Sequence, residues 1–339
     1  MTTKATLKDW FLLTRPWSAT ATLVPFLVAG GALKALFPTE LGLTEWLRWT
    51  QGLVSGLFLL AACNLFNTWG DERSGVDRMP GAFLTTPQIQ QGKISMRQTL
   101  VFAFVCLGLA AAIGLPLLFW RTLDGWAFNG PLFGMALVGF VGATNYSTGW
   151  KYKYRGLGVP FVALLEGTLY ILVVYAIMLP TYVVQLFTEM GPWDLLMFAA
   201  LFLVSLPIAS LVGVILHGND MRDIATDRAA GIRTLAAALK PRGALRLFIT
   251  LHLFPYVALA AGFVWLFAIG SFNCIAFTFL WPLLLPFIAL PLTVRLLCHA
   301  VRDYRRNPVA PAWLNLEKGS GGIHFVFGVL YALALFLVN

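Results

Sequence analysis

Long apolar runs separated by short polar segments dominate the chain. A run of about 20 mostly apolar residues is long enough for a helix that crosses a lipid bilayer. Nine runs approach this length, at about 17–36, 50–66, 99–119, 129–146, 157–180, 194–216, 243–268, 274–297 and 322–338. Each should be helical, because backbone hydrogen bonds cannot be left open in lipid. The pattern predicts an all-α polytopic membrane protein with nine transmembrane helices in one domain, 1–339.

The segment before the first run has a different pattern. Its apolar residues are interrupted by Lys8, Asp9 and Arg15, and it has no signal-peptide core followed by a small-residue cleavage site. We expect a helix at the membrane interface that leads into the first span.

Composition supports the membrane assignment. The chain is 59% hydrophobic and only 12% charged, whereas a soluble domain usually has about 25% charged residues. The net charge of +9 comes with no basic tail and no recognition motif, so we expect no nucleic-acid partner. The four cysteines are far apart and form no CxxC pair, so neither a disulfide framework nor a zinc site is supported.

The positive charges predict an orientation. If the N-terminus is cytoplasmic and the spans alternate, all but three of the 24 Lys and Arg residues lie in cytoplasmic segments. The exceptions are Lys34, Arg48 and Arg121. Because cytoplasmic loops of membrane proteins are enriched in Lys and Arg, we expect a multi-pass protein of the cell (inner or plasma) membrane with its C-terminus on the opposite side.

Acidic residues are concentrated in two of the predicted cytoplasmic loops, 67–98 and 217–242. Together these loops hold six of the 15 Asp and Glu residues: Asp71, Glu72, Asp77, Asp220, Asp223 and Asp227. A loop that only sets topology needs cations and does not need carboxylates. A solvated helix end would explain either loop alone, but two such clusters on one side of the membrane favour a site.

The spacing of these acids indicates a metal site. Asp220, Asp223 and Asp227 are spaced i, i+3, i+7, so they share one face if the helix continues past the membrane surface. Mg²⁺ prefers hard oxygen ligands and bridges carboxylates to substrate phosphates. We therefore predict Mg²⁺ bound to a diphosphate, with these candidate ligands: Asn67, Asp71, Asp77, Asn219, Asp220, Asp223 and Asp227.

A diphosphate also needs cationic partners. The predicted ones are Arg73, Arg78, Lys151, Lys153, Arg155, Arg222 and Arg233. Each of them, taken singly, is equally compatible with a charge that sets topology or lies at the interface.

These motifs resemble those of the UbiA superfamily of intramembrane prenyltransferases. The similarity lies in NTWGDERSGVD (67–77), YSTGWKYKYRGLG (146–158), NDMRDIATDRAAGIRTLA (219–236) and the Thr-Arg-Pro at 14–16. Within the superfamily the motifs are most similar to the 1,4-dihydroxy-2-naphthoate polyprenyltransferase branch. The resemblance implies a nine-helix bundle whose active site faces the cytoplasm.

The resemblance also implies a reaction. A polyprenyl group would pass from a polyprenyl diphosphate in the lipid bilayer to an aromatic acceptor, dihydroxynaphthoate in that branch, giving demethylmenaquinone for menaquinone synthesis. Four carboxylates would be catalytic: Asp71, Asp77, Asp223 and Asp227. The rings of Tyr146 and Trp69, with Tyr152 and Tyr154 as further candidates, would stabilise a cation-like allylic carbon. The base for the acceptor stays open among Asp71, Asp77 and Glu166.

Three positions depart from the family pattern: Thr68 replaces an Asp, Ile232 replaces a Lys, and Val159 stands where an acid is frequent. Other acceptors remain open, namely homogentisate, hydroxybenzoate, a chlorophyll precursor or haem. A transporter is a further alternative, although its polar groups should lie near mid-membrane. A non-catalytic scaffold would leave the acidic clusters unexplained. For His217, before the second motif, a capping or interfacial role competes with substrate contact.

Overall fold

The computed structural model describes residues 5–75, 86–146, 149–189, 191–269 and 280–338, and most of these are helical. Helix α1 (Leu7–Leu13) is the short N-terminal helix expected from the sequence. Its N-cap is Thr6, whose Oγ1 accepts a hydrogen bond from the Asp9 amide at 3.2 Å. This capping box starts the helix before the first apolar run.

The first half of the chain continues with long helices and one hairpin. A 3₁₀ turn (Pro16–Ala19) leads into α2 (Thr20–Leu36), which is followed by α3 (Leu43–Ser74), α4 (Met96–Gly114) and α5 (Gly130–Thr144). Strands β1 (Phe119–Thr122) and β2 (Gly125–Phe128) lie between α4 and α5 and pair antiparallel.

The second half begins with a 3₁₀ turn (Tyr152–Arg155). Helix α6 (Gly158–Val162) then passes through a π-helical segment (Ala163–Leu169) into α7 (Tyr170–Met178), and α8 (Pro180–Thr188) follows. The remaining helices are α9 (Pro192–Arg222), α10 (Ile224–Ala229), α11 (Leu235–Ile269), α12 (Leu290–Arg306) and α13 (Leu316–Leu337). A 3₁₀ segment (Trp281–Ala289) precedes α12.

Eight helices among the described residues are long and apolar enough to cross a membrane. They are Pro16–Leu36, Leu43–Arg73, Met96–Leu118, Gly158–Met178, Asp194–Arg222, Leu235–Leu266, Trp281–Arg306 and Leu316–Leu337. The run at 129–146 forms α5, which has only 15 residues, and the start of the run at 274–297 lies outside the described residues. The multi-pass helical bundle is confirmed, whereas the count of nine and the orientation stay predictions.

The hairpin was not expected in an all-α chain. Its four residue pairs run from Phe119↔Phe128 to Thr122↔Gly125, so the turn lies at Leu123 and Asp124. The segment contains Phe, Trp and Thr, which favour strands. It follows an apolar run directly, so hydrophobicity alone did not separate it from the preceding span.

Two helices run well past the ends of their apolar runs. The second run was placed at 50–66, yet α3 continues to Ser74, and the run at 194–216 continues in α9 to Arg222. Hydrophobicity marks where a helix leaves lipid, whereas the helical backbone can continue into polar surroundings. Both acidic motifs therefore begin on the C-terminal turns of these long helices.

Arg48 links several helices by hydrogen bonds at the end of the bundle away from the acidic motifs. It is one of the three cations that lie outside the predicted cytoplasmic segments. Its guanidinium donates to three backbone carbonyl oxygens: Ile177 O at 2.7 Å, Leu117 O at 2.9 Å and Phe119 O at 3.1 Å. Carbonyl groups at helix C-terminal ends carry partial negative charge and need donors. Arg48 therefore has a structural role away from the acidic motifs.

Candidate active site

A cavity of 1420 Å³ lies between the helices, and its walls come from α2, α3, α4, α5, the α6–α7 span, α9 and α13. Leucines such as Leu60, Leu107 and Leu137 line part of it. Carboxylates, amides and cations line the part next to the ends of α3 and α9. The cavity thus joins an apolar compartment to a polar one.

Helix α3 brings Asn67 and Asp71 to this cavity, because residues four apart lie on one helical face. The Oδ1 atom of Asn67 is buried and has no hydrogen-bond partner among the described residues. Asp71 is only 6% exposed. Its Oδ2 accepts from Lys153 Nζ at 3.0 Å and its Oδ1 from the Tyr154 hydroxyl at 2.6 Å.

The loop before α6 brings Lys153 to the site. The loop is held in place by a backbone hydrogen bond from the Arg233 amide to Tyr154 O, at 3.3 Å. Burial alone would lower the pKa of Lys153, but the Asp71 carboxylate, Tyr146 and Tyr154 together outweigh it and raise that pKa above its usual value. Lys153 therefore stays cationic. Its Nζ also lies 5.7 Å from the ring centroid of Tyr146.

The second motif does not form one continuous helical face. Helix α9 ends at Arg222, Asp223 has φ −94° and ψ 7°, and α10 begins at Ile224. The condition for the i, i+3, i+7 alignment of the three acids is therefore not met. Even so, Asn219, Asp220, Asp223 and Asp227 all line the cavity, because the chain turns around it at this break.

Arg222 holds the break together. Its Nε and Nη2 donate to the two carboxylate oxygens of Asp223 at 2.7 and 2.6 Å, and Nη2 also donates to Asn219 Oδ1. Its Nη1 donates to Glu317 Oε2 at 3.2 Å. Glu317 is in the first turn of α13 and also lines the cavity. A third part of the chain thus joins the site.

Asp227, which lies outside the membrane spans, is a site carboxylate with a clearly raised pKa. Burial raises its pKa from 3.8 to about 6, although a hydrogen bond from Thr234 Oγ1, 2.8 Å away, acts in the opposite direction. The charges of Asp223 and Asp71 raise this pKa further, and that of Lys153 lowers it. Asp71 and Asp227, 156 positions apart, are therefore in electrostatic reach of one another.

Several predicted site residues lie elsewhere. Trp69 and Arg73 do not line the cavity; the Arg73 guanidinium carbon lies 5.0 Å from the Trp69 ring centroid. Lys151, Arg155 and Arg233 are exposed and also outside the cavity lining. Asp77 and Arg78 lie outside the described residues. The roles predicted for these residues stay predictions.

His217 and Thr68 have local partners. His217 is buried, and its Nε2 lies 2.9 Å from Ala244 O. Thr68 is also buried and does not line the cavity; its Oγ1 accepts from Arg15 Nη2 at 3.1 Å. The position where the family usually has an Asp is thus occupied by a side chain that binds Arg15.

Among the charged residues that line the cavity, three were not predicted as site residues: Arg15, Glu317 and Lys318. Arg15 has a left-handed backbone, with φ 55° and ψ 60°, directly before Pro16. The Thr-Arg-Pro segment at 14–16 is part of the resemblance to the UbiA superfamily. That resemblance is the only feature of the sequence that could have indicated a site role for Arg15. Glu317 belongs to no motif.

The donor atoms suit Mg²⁺, but they are not assembled around a common point. Among the described residues, no three His, Cys, Asp or Glu side chains form a group that would hold a metal ion. Asp71 is bound by Lys153, and Asp223 by Arg222. The set is nevertheless rich in carboxylate and amide oxygens, and Asn67 Oδ1 lacks a partner among the described residues. Mg²⁺ usually takes only one or two protein carboxylates and completes its coordination with water and phosphate.

The fold and cavity define a multi-pass helical membrane protein that has acids and cations at one end of an apolar cavity. The UbiA prenyltransferase family profile matches residues 22–316. The chain belongs to the UbiA prenyltransferase family and is a membrane prenyltransferase.

Two relatives span nearly the whole chain. The 1,4-dihydroxy-2-naphthoate octaprenyltransferase of Bacillus subtilis is 26% identical over 338 residues, covering 96% of this chain and 91% of the relative. Human UbiA prenyltransferase domain-containing protein 1 is 29% identical over 328 residues, covering 96% and 84%. The two relatives are about equally similar, so similarity alone does not select an acceptor.

Solved structures confirm the fold. A UbiA homolog from Archaeoglobus fulgidus bound to GPP and Mg²⁺ has a TM-score of 0.57 at 18% identity, covering 97% of this chain and 99% of that one. A digeranylgeranylglyceryl phosphate synthase has a TM-score of 0.55 at 15% identity, covering 97% and 98%. At these identities the similarity concerns the fold alone.

Proposed function

We propose that this enzyme transfers a polyprenyl group from a polyprenyl diphosphate to 1,4-dihydroxy-2-naphthoate. The observation that carries the proposal is the meeting of two distant acidic motifs over one end of an apolar cavity. The cavity suits an isoprenoid tail, and its polar end suits a diphosphate. The acceptor is supported by the motifs of the naphthoate branch and by the name of the Bacillus subtilis relative.

In this proposal the diphosphate exchanges partners with the site. Lys153 and Arg222 are two of the cations that line the cavity, and each holds a carboxylate, Asp71 and Asp223 respectively. An incoming diphosphate takes over these cations, because phosphate oxygens accept strong charge-assisted hydrogen bonds. The carboxylate oxygens then become available as metal ligands.

The Mg²⁺ ligands would be the polar groups that line the cavity: Asn67, Asp71, Asn219, Asp220, Asp223 and Asp227. When bound, Mg²⁺ supplies positive charge against the negative charge that builds up on the leaving diphosphate. Tyr146, which lines the cavity beside Lys153, presents an aromatic ring to the allylic carbon as that carbon gains positive charge. The apolar walls exclude water, which would otherwise capture this carbon.

Alanine variants test the proposal in membranes supplied with Mg²⁺, a polyprenyl diphosphate and dihydroxynaphthoate. Asp71→Ala and Asp223→Ala should each abolish prenylated product, measured by mass spectrometry, while the protein still inserts. Asp124→Ala, at the exposed hairpin turn, is the matched control and should retain activity. Near-normal product from either site variant would contradict the role of the two motifs.

Chelation and acceptor choice complete the test. EDTA should abolish product, and excess Mg²⁺ should restore it. A panel with homogentisate and 4-hydroxybenzoate separates the proposed acceptor from others. Product from one of these and none from dihydroxynaphthoate would overturn the acceptor assignment and leave prenyl transfer intact.

A further inference from the structure

An acid lies in the membrane-spanning part of the cavity, away from both motifs. Glu166 is in the π-helical segment Ala163–Leu169, inside the span Gly158–Met178, and it lines the cavity. Short π-helical segments within α-helices are rare and occur often at functional sites. An acid at this depth is costly, so it calls for a functional explanation.

The π-helical segment is held tightly against α9. A Cβ atom added at Gly167 would lie 2.6 Å from Ala209 Cβ and 2.9 Å from Ala209 N. Such distances are too short for any side chain, so the backbones approach as closely as glycine allows. The neighbouring Glu166 is thereby attached to a rigid contact between two spans.

Among the described residues, Glu166 has no hydrogen-bond or ion-pair partner. Its charge acts on Cys63, Tyr152 and Tyr170, which also line the cavity. The Tyr152 hydroxyl proton is already donated to Gly142 O at 2.6 Å. The Glu166 carboxylate therefore faces a space bordered by aromatic and small side chains and retains its capacity to accept hydrogen bonds.

Glu166 lies near Cys63, about two helical turns before the proposed metal ligand Asp71 on α3. Glu166 interacts electrostatically with Cys63, which precedes Asp71 by eight residues on α3. Eight residues of helix correspond to about 12 Å. Part of this distance would be filled by the diphosphate beside Asp71. The remainder has the size of an aromatic ring system with its hydroxyl groups.

An aromatic wall connects the two levels. Tyr146 interacts electrostatically with Asp71, Asp220 and Lys153, and Tyr152 interacts electrostatically with Glu166. The rings of Tyr146 and Tyr152 are in edge contact, with centroids 5.4 Å apart. A planar acceptor against this wall would have one edge near the allylic carbon and a hydroxyl near Glu166.

We propose that Glu166 accepts a hydrogen bond from a hydroxyl group of the aromatic acceptor and takes its proton during prenyl transfer. This rests on the proposed function, and it assigns the base that the sequence left open among Asp71, Asp77 and Glu166. As the C1–O bond of the prenyl diphosphate breaks, its electron pair leaves with the diphosphate. A ring electron pair forms the new C–C bond while the hydroxyl proton passes to Glu166. Loss of a proton or of carbon dioxide from the prenylated ring carbon restores aromaticity, and the phenolic oxygen regains a proton.

The test compares Glu166→Gln with wild type in the full-length membrane enzyme with Mg²⁺. The amide keeps the size and an accepting oxygen but cannot take a proton. We expect kcat to fall by about 100-fold or more, while the donor KM and the Mg²⁺ requirement stay within about twofold. Glu166→Asp should recover part of the rate. Glu189→Gln, the same change at an exposed residue outside the cavity, should match wild type.

A second measurement separates proton acceptance from a structural role. Wild type should prefer a free hydroxyl acceptor over its methyl ether by about 100-fold or more, because a site built to bind a hydroxyl rejects an analogue that lacks it. Glu166→Gln should lose most of this preference. Thermal unfolding and binding of a non-reacting prenyl diphosphate analogue establish that the variant is folded.

The outcomes distinguish the two proposals. If wild type prenylates no aromatic acceptor, the proposed function fails and the role of Glu166 fails with it. If wild type is active and Glu166→Gln keeps its rate and its hydroxyl preference within about twofold, only the Glu166 proposal is overturned. A changed donor KM with an unchanged hydroxyl preference would place Glu166 along the isoprenoid tail and would also overturn the Glu166 proposal. If Glu166→Gln is unfolded, a folded Glu166→Asp variant with the wild-type rate and hydroxyl preference would overturn the proposal as well.

Discussion

The Nζ atom of Lys153 lies 3.0 Å from Oδ2 of Asp71, and the pair joins the loop before α6 to the end of α3. Their side chains are only 16% and 8% exposed. A buried ion pair of this kind contributes little net stability, because desolvation offsets the attraction. We interpret it as a pair that holds both side chains in place until substrate and metal bind.

Replacing Lys153 should therefore weaken the binding of the prenyl diphosphate and strengthen the binding of Mg²⁺. In Lys153→Met the diphosphate loses a cation, so the donor KM should rise by about tenfold or more, equivalent to about 1.4 kcal/mol. The same change removes a positive charge beside Asp71, so less Mg²⁺ should be needed for half-maximal activity. Initial rates across donor and Mg²⁺ concentrations measure both.

The control for this change is Lys151→Met. Lys151 is exposed and does not line the cavity, although it is only two residues away. It should leave both constants near wild type. A Lys153→Met enzyme with an unchanged donor KM would show that Lys153 serves only the fold.

The contrast between Lys151 and Lys153 shows where sequence reasoning reaches its limit. The cationic loop could be predicted, because positive charges gather on one side of the membrane. Which lysine faces the cavity depends on the backbone: Lys151 has φ 51°, and a 3₁₀ turn starts at Tyr152. No residue pattern in the loop encodes that geometry.

For the acidic residues, too, the sequence predicts the shared location but not the backbone geometry. That Asp71 and Asp227 share a site could be predicted, since both follow spans that end on the same side. The break at Asp223 could not, because i, i+3, i+7 spacing is equally compatible with an unbroken helix. Glu317 was missed because its role depends on the packing of α13 against the end of α9, where it binds Arg222.

Asp227 should show a conflict between stability and activity. Its pKa is raised from 3.8 to about 6, chiefly by burial. An acid with a raised folded-state pKa destabilises the fold when ionised. The cost is absent below about pH 4, grows as pH rises towards 6, and is complete above that. At about 1.4 kcal/mol for each pKa unit, it is at most about 3 kcal/mol.

In the absence of Mg²⁺, Asp227→Asn should accordingly raise the unfolding temperature at pH 7.5, and the gain should vanish near pH 4. The amide oxygen can still accept from Thr234. The variant should make no product, because a proposed metal ligand is lost. Thermal unfolding in detergent with EDTA, with exposed Asp124→Asn as the control, checks this. An Asp227→Asn protein less stable than wild type at pH 7.5 would contradict it.

Gly167 should tolerate no side chain. A Cβ atom there meets the Ala209 backbone, at 2.9 Å from its N atom, and backbone cannot move aside as a flexible side chain can. Gly167→Ala should lower the free energy of unfolding by about 1–3 kcal/mol, the usual cost of overpacking. Thermal unfolding in detergent measures the loss. At exposed Gly134 an added Cβ meets nothing within 4 Å, so Gly134→Ala is the control and should be neutral or slightly stabilising.

Thr68 tests whether the departure from the family motif removed a metal ligand. Its Oγ1 accepts from Arg15 Nη2 at 3.1 Å, and it does not line the cavity with Asn67 and Asp71. A carboxylate in Thr68→Asp should therefore pair with Arg15 and leave the proposed metal site unchanged. The Mg²⁺ concentration for half-maximal activity should stay within about twofold of wild type.

Thr68→Ala isolates the hydrogen bond to Arg15. It should cost about 1 kcal/mol of stability and leave the Mg²⁺ requirement unchanged. If Thr68→Asp instead lowered the Mg²⁺ requirement by tenfold or more, equivalent to about 1.4 kcal/mol, position 68 would be a metal position that this chain has lost. The comparison of both variants in one Mg²⁺ titration decides between these readings, because only a ligand position would respond to the carboxylate and not to the loss of the hydroxyl.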